Sequence, residues 1–209
     1  MRLDAEQSRD QALFAGGLLV RDMGGKGVKA YQPPNIWEPV AYTGSNTRFY
    51  EADKGSALYR RSLYTFIKRT APAPYMVNFD APSREQACTR RERSNTPLQA
   101  LQLMNDVQHV EAARGLAGEV MRAAADKAGR IAGLYRRVLV REPRADETAV
   151  LERLLEGELT RYRAAPEAAQ KAVTFGASVP PAGVDAVELA AWTLVAGTVL
   201  NLDEAINRN

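Results

Sequence analysis

Apolar residues recur at helical spacing through the second half of the chain and lose that period in the first. Thr96-Pro97-Leu98-Gln99 sets a capping hydroxyl, a proline at the first helical position and a glutamine at the third, so a helix is expected to begin at Pro97. Asn105-Asp106 breaks or re-caps it, and Val107, Val110, Ala113, Leu116, Ala117, Val120 and Met121 fall on one face of the next. Asp126 caps a further helix with Ile131, Leu134, Tyr135, Val138 and Leu139 turned inward, and Arg141-Glu142-Pro143 stops it. Leu151, Leu154, Leu155, Leu159 and Tyr162 mark another from near Ala145, and Pro166 opens a shorter one to about Thr174. Gly176 to Gly183, with Pro180-Pro181, reads as a loop. The last helix is expected from Val184 to about Ile206; it is apolar nearly all round, Trp192 included, as in a segment buried among others.

Before Arg93 the signals are mixed. Asp4 with Gln7 forms a capping box for a first helix whose Ala5, Ala12, Leu13 and Leu19 face inward, and Gly16-Gly17 weakens its end. Gly24-Gly25-Lys26-Gly27 must be a loop, but it lacks the G-x-x-x-x-G-K-[ST] spacing and a strand leading in, which argues against phosphate binding. Val28 to Asn46, rich in Pro, Gly, Tyr and Trp, suits an ordered extended segment packed on the helices with its aromatics as anchors. Leu58, Tyr59, Leu63, Phe66 and Ile67 fit a helical period, whereas their aromatic and β-branched character fits a strand. In that alternative Asp53-Lys54-Gly55 would turn a short hairpin from Arg48-Phe49-Tyr50. Ala71-Pro72-Ala73-Pro74 stops either element and opens an extended stretch from Tyr75 to Pro82. The expectation is one mainly α domain over residues 1–209, with an irregular Pro- and aromatic-rich half (1–93) that includes the first helix. A bundle of five or six helices (94–209) follows, and a short β-hairpin is an option in the first half.

Composition removes whole classes of function. A chain of 209 residues with one Cys and one His has no disulfide framework, no Cys-rich zinc module and no multi-His metal centre. It has no C-x-x-C-H for covalent haem, so no cofactor is expected in this chain, and haem would belong only to upstream domains of a longer parent. Leu13 to Val20 is too short and too late for a signal peptide, and Ala186 to Leu202 falls short of a membrane span.

Charge is more informative once it is divided. The net +3 conceals +5 between Leu58 and Arg93 and −2 elsewhere. Seven of the eight cations in that segment are Arg, and Tyr59, Tyr64 and Tyr75 lie among them. Guanidinium groups bind carboxylate, sulfate or phosphate through paired hydrogen bonds, so Arg60, Arg61, Arg84, Arg90, Arg91 and Arg93, with Tyr64 and Trp37, are candidate contacts to an anionic or protein partner. The competing expectation is that these side chains tie loops to carboxylates of the same domain. Nucleic acid is disfavoured by the small net charge and the lack of a binding motif. Cys88 and His109 invite a thiol nucleophile and its base, but only if the fold brings them together; the competing expectation, which is favoured, is a buried or half-buried Cys88 and a surface His109 on the helix after Asp106. Asp80 is a candidate acid or base, and Asp80, Asn95, Asp106 and Asp203 could supply oxygen ligands, though they are scattered and each suits a turn or a cap.

Six strings occur in order: Arg2-Leu3-Asp4-Ala5-Glu6 with Arg9-Asp10; Tyr31-Gln32-Pro33-Pro34 with Ile36-Trp37-Glu38; Tyr59 to Thr65; Phe79-Asp80-Ala81-Pro82; Asn95 to Leu101; and Leu200 to Glu204. Together they span nearly the whole chain and resemble the planctomycete-type PSD domain, a domain of unknown function. The resemblance implies a place downstream of a companion domain, and often of a cytochrome-c-like domain, in a large exported protein. It supplies no catalytic residues. Because relatives usually carry residues upstream of the Arg-Leu-Asp-Ala-Glu string, the chain is expected to be a fragment of a longer protein. The function expected is a non-catalytic module that docks a companion or cytochrome-c-like domain through its Arg-rich surface. The alternatives are binding or hydrolysis of sulfated or acidic polysaccharide, and a purely structural domain.

Overall fold

The helix-start residues act where the sequence places them. A computed structural model describes residues 2–207. Among these are nine α-helices: α1 (Ala5–Ala15), α2 (Pro74–Asn78), α3 (Pro97–Asn105), α4 (Val107–Ala123), α5 (Lys127–Leu139), α6 (Ala145–Ala164), α7 (Pro166–Val173), α8 (Ala186–Leu200) and α9 (Asp203–Ile206). The Gln7 side chain accepts from the Asp4 N–H at 3.1 Å, and Gln99 does the same for Thr96 at 3.3 Å, which satisfies N–H groups that a helix start leaves free. Asp106 accepts from the N–H groups of Gln108 and His109 and so restarts the chain as α4 directly after α3. Asp126 caps α5 through Gly129.

α4 and α8 form the centre. α8 has apolar residues on every side, and Leu189, Ala191, Trp192, Val195, Ala196 and Val199 are all buried between α4, α6 and α7. α4 is buried on more than the one predicted face, because α1 and the irregular half cover the side that α8 leaves open. Where α1 ends, the chain crosses α4 at backbone contact: a Cβ on Gly16 would strike the Ala112 carbonyl, and one on Gly115 would strike the Gly16 carbonyl. The sequence suggested only a weakened helix end at Gly16. The last predicted helix is interrupted: Asn201 closes α8, and α9 follows as a separate turn that brings the Ile206 carbonyl to the Leu3 N–H at 2.9 Å. None of the helices among the described residues is long and apolar enough to cross a membrane.

The irregular half corrects three expectations. Leu58 to Ile67 is neither a helix nor a hairpin strand; it forms two 3-10 turns, Gly55–Tyr59 and Ser62–Tyr64. The optional hairpin from Arg48-Phe49-Tyr50 is absent, and sheet-like pairing among the described residues is limited to isolated bridges such as Val20 with Arg60 and Val28 with Thr65. The stretch after Pro74 begins as the short helix α2, since a proline at the first helical position is well tolerated there. Trp37, one of the candidate contacts to a partner, is 1% exposed; it packs on Tyr50 and Phe66 and donates from its Nε1 to the Ala71 carbonyl at 3.1 Å. It is an anchor, and no ring face is left for a ligand.

Irregular backbone buried against helices needs partners for its carbonyls. Arg9 supplies them. It lies on the inner face of α1 with Ala5, Ala12 and Leu13 and is 4% exposed. Its guanidinium donates to the Arg60 carbonyl at 2.9 Å, the Leu58 carbonyl at 2.8 Å and Ser62 Oγ at 3.0 Å, and its Nε donates to Gln108 of α4. Gln108 in turn donates to the same Leu58 carbonyl at 2.7 Å. Arg9→Met is expected to leave these buried acceptors without donors and to lower stability by roughly 3–5 kcal/mol, with Arg9→Lys recovering only part. Urea unfolding followed by circular dichroism measures this; an unchanged midpoint in Arg9→Met would show that the guanidinium does not hold the irregular half.

Candidate functional site: a mixed-charge cleft beside the first helix

With Arg9 turned inward, the opposite face of α1 presents Glu6, Gln7, Asp10, Gln11 and Phe14 to an open cleft of about 840 Å³. Arg61 and Leu63 of the second 3-10 turn form one wall. Arg84 and Arg91 of the loop between Asp80 and Ser94 form another. Val138, Leu139 and Val140 at the end of α5, with Glu204 and Ala205 of α9, complete it.

Most of the cleft's charges are matched by the protein itself. Arg91 donates to both Glu6 carboxylate oxygens, at 2.7 and 3.1 Å, and lies 3.6 Å from Asp4, which Arg93 also contacts at 3.2 Å. Burial works against ionisation of Glu6, but the Arg91 hydrogen bonds and charge outweigh it and hold the carboxyl below its usual range. Asp10 accepts from the Ser62 N–H and hydroxyl at 2.8 and 2.7 Å and lies 3.5 Å from Arg61. Arg141, just behind the cleft, clamps α5 to two other helices by paired hydrogen bonds to Glu147 of α6 and Glu204 of α9. Those bonds from Arg141 hold Glu147 at about 2 and lower Glu204 as well, each against the smaller opposing effect of burial.

The sequence candidates separate into distinct places. Arg60 is an internal tie: it lies 3.9 Å above the Tyr64 ring and donates to the carbonyls of Asp22, Gly24 and Lys26. The glycine loop therefore turns carbonyls toward a cation, the opposite of a phosphate cradle, and the Tyr64 hydroxyl accepts from its Gly24 N–H. Arg61, Arg91 and Arg93 are fastened to the acids of α1. Among the described residues only Arg84 and Arg90 of the six candidate arginines have no hydrogen bond or ion pair from the side chain. Asp80, the candidate acid or base, accepts from the Ser94 N–H and hydroxyl at 2.6 and 2.8 Å and closes the base of the arginine loop. Cys88 is exposed on that loop, its thiol on the Arg90 carbonyl at 3.3 Å, whereas His109 is 5% exposed between Asp106 and the Tyr75 ring. The expected surface histidine is thus a core one, and the expected buried cysteine is a surface one. Among the described residues no three His, Cys, Asp or Glu side chains converge as a metal-ligating group.

Sequence reasoning missed a second buried polar node. Glu111 of α4 is fully buried and accepts from the Tyr59 hydroxyl at 3.0 Å and from the N–H groups of Ala177 and Ser178 at 2.6 and 2.7 Å; Tyr31 approaches at 3.3 Å. Burial and the Glu111 charge both push the Tyr59 and Tyr31 hydroxyls up, so both remain protonated donors. Arg114 takes the carbonyls of Phe175 and Ser178 at 2.6 and 2.8 Å. Gly176, at φ 87°, leaves no room for a Cβ beside the Glu111 carboxylate. The helical period placed Glu111 and Arg114 close to the core face of α4, and that position was the available signal.

These features define a mainly α domain carrying an open groove whose charges are largely paired within the fold. Residues 1–155 match the PSD1 family, proteins of unknown function (DUF1553), and the chain belongs to that family. No curated protein and no solved structure matches it. The matched stretch ends inside α6, short of the Leu200–Glu204 string and of α8, the helix that α4 packs on.

Two outcomes follow from this packing. A chain cut after Leu155 is expected to show no cooperative thermal transition by circular dichroism, whereas the full chain shows one; cooperative unfolding of the short form would show that the matched part folds alone. Glu147 and Glu204 have lowered pKa values, so their pairing with Arg141 stabilises the fold above the usual carboxylate range and fades as pH falls toward 2. Arg141→Gln is therefore expected to cost about 1 kcal/mol at pH 7 after allowance for solvent screening, or roughly 2–4 °C in Tm. The gap from the parent chain should close between about pH 4.5 and pH 2 in scanning calorimetry.

Proposed function

We propose that this chain is a non-catalytic interaction module that docks a companion domain of a longer polypeptide, a cytochrome-c-like domain being one such companion, and that it does so at the α1 cleft. The observation that carries this is the exposure of large apolar side chains around one charged groove: Phe14 is 55% exposed, Leu63 65% and Val140 88%. Apolar groups gathered around a polar-rimmed concavity are the usual mark of a binding surface. The family resemblance supports a companion in the same polypeptide.

The electrostatics favour docking over catalysis or glycan binding. A general acid needs a carboxyl held above its usual range by burial or by a like charge. Glu6 is held below it, and Asp80 is occupied by Ser94. The acids lining the cleft, Asp4, Glu6, Asp10 and Glu204, already hold Arg93, Arg91, Arg61 and Arg141, which leaves, among the described residues, the single cation Arg84 in the lining, a poor match for the repeated charges of a sulfated or acidic polysaccharide. The Arg-rich surface first expected to dock the partner is largely consumed by internal ties, so the docking face moves to the groove that those ties build.

Association of the purified chain with its companion domain, expressed separately and followed by isothermal titration calorimetry, tests this. Phe14→Asp with Leu63→Arg is expected to weaken association by about 100-fold, while Val179→Asp, on a loop outside the cleft, leaves it unchanged. Equal affinities for all three proteins, with their circular dichroism intact, would sink the proposal.

A further inference from the structure

Among the described residues, two of the four non-glycine residues with positive φ line the α1 cleft: Arg84 at 63° and Val140 at 58°. Left-handed backbone is uncommon for side chains other than Asn and Asp and is least expected for a β-branched residue. The other two are Asn35 and Asp80, which belong to the tolerant types. Val140 occupies the position after α5 where glycine commonly ends a helix. Its near-complete exposure means that packing in the core does not explain a valine there. Arg84 is the second anomaly. Each other charge lining the cleft has a partner within the protein, Asp4 on Arg93, Glu6 on Arg91, Asp10 on Arg61 and Glu204 on Arg141. Among the described residues the Arg84 guanidinium makes no hydrogen bond or ion pair, and its charge only adds at longer range to the hold that Arg91 has on Glu6.

We infer that the cleft receives a peptide segment of the companion domain that carries an aliphatic or aromatic residue beside a carboxylate. The apolar side chain lies against Val140, Leu63 and Phe14, and the carboxylate completes Arg84. This rests on the docking proposal above and specifies its ligand. The sign of the partner's charge follows from the groove, where the unmatched charge is a cation and its natural complement is Asp or Glu. Strain at Val140 fits the same account, because glycine would relieve the backbone and remove the contact.

Selection from a phage-displayed library of random peptides of about twelve residues, on the immobilised intact chain, tests the inference. Enriched peptides are expected to place Leu, Ile or Phe within a few residues of Asp or Glu. Their affinity, measured by fluorescence anisotropy, should fall about tenfold in Arg84→Gln and much less in Arg84→Lys. A selection repeated on Arg84→Glu should favour Lys or Arg in place of the acid. Val140→Gly should bind several-fold more weakly while keeping or raising Tm, a combination that a purely structural valine would not give. Peptides that lose binding with Phe14→Asp and Leu63→Arg but are indifferent to Arg84→Gln would overturn the carboxylate inference and leave the docking proposal standing. Failure to select any peptide that depends on the cleft would overturn both.

Discussion

The buried Arg9 guanidinium lets a stretch of chain with almost no regular secondary structure lie against helices. A sheet or helix pairs its own backbone groups, whereas 3-10 turns and single bridges leave carbonyls that water would otherwise satisfy. Buried without a donor, each costs about 1–3 kcal/mol. Arg9 brings a fork of donors to Leu58, Arg60 and Ser62 from one point on α1, and Gln108 of α4 is tied into the same set. Burying a guanidinium is itself expensive, and the arrangement holds because its donors are used and Asp10 lies 3.6 Å away. Arg114 and Glu111 solve the same problem on the far side of α4, where one takes the carbonyls and the other the N–H groups of the 175–178 loop. α4 thus serves as a polar spine for two irregular segments and an apolar partner for α8.

That constraint shapes the groove. Turning Arg9 inward sends Glu6, Asp10 and Phe14 outward on the same helix, since residues spaced by four form one stripe and Arg9, next to Asp10 in the chain, lies about 100° round the helix from it. The Ser62 turn that Arg9 grips from inside is gripped from outside by Asp10, which sets Arg61 and Leu63 along the cleft wall. On the opposite wall the Arg141 clamp plays the corresponding part: it joins α5, α6 and α9 where the backbone passes through left-handed Val140. These two walls are held by arginine nodes, and the third, the loop between Asp80 and Ser94, is fastened to α1 through Arg91 and Arg93, so the shape of the groove is largely set within the fold.

What the sequence disclosed depended on whether a residue's role was local. Capping boxes at Asp4 and Thr96, the caps at Asp106 and Asp126, and proline at position 97 or 166 act within a turn, and the helices they start are found where expected. The 3-10 turns were not legible, because Leu58 to Ile67 satisfies the helical and the strand pattern about equally and its conformation is decided by Arg9, some fifty residues away in the chain. The break at Asn201 likewise depends on the long-range pairing of Ile206 with Leu3. His109 and Cys88 exchanged their expected environments for the same reason. Residue type suggests average burial, but Tyr75 covers the histidine and the arginine loop carries the cysteine outward.

The charge split shows most clearly how a local count can mislead and then inform. An excess of +5 between Leu58 and Arg93 looks like a surface awaiting an anion. In the fold, much of that excess meets the acids at the start of the chain: Asp4, Glu6 and Asp10 take Arg93, Arg91 and Arg61. A segment's net charge states what it must be paired with, and here the chain supplies most of the partners at a separation in sequence that no window would join. The useful quantity is the remainder after internal pairing. Among the described residues two of the six candidate arginines are left, and one of them, Arg84, stands on the wall of the one groove where exposed Phe14, Leu63 and Val140 gather. A charge already neutralised within the fold has little affinity left to offer a partner, so the docking proposed above would have to rest on such a remainder.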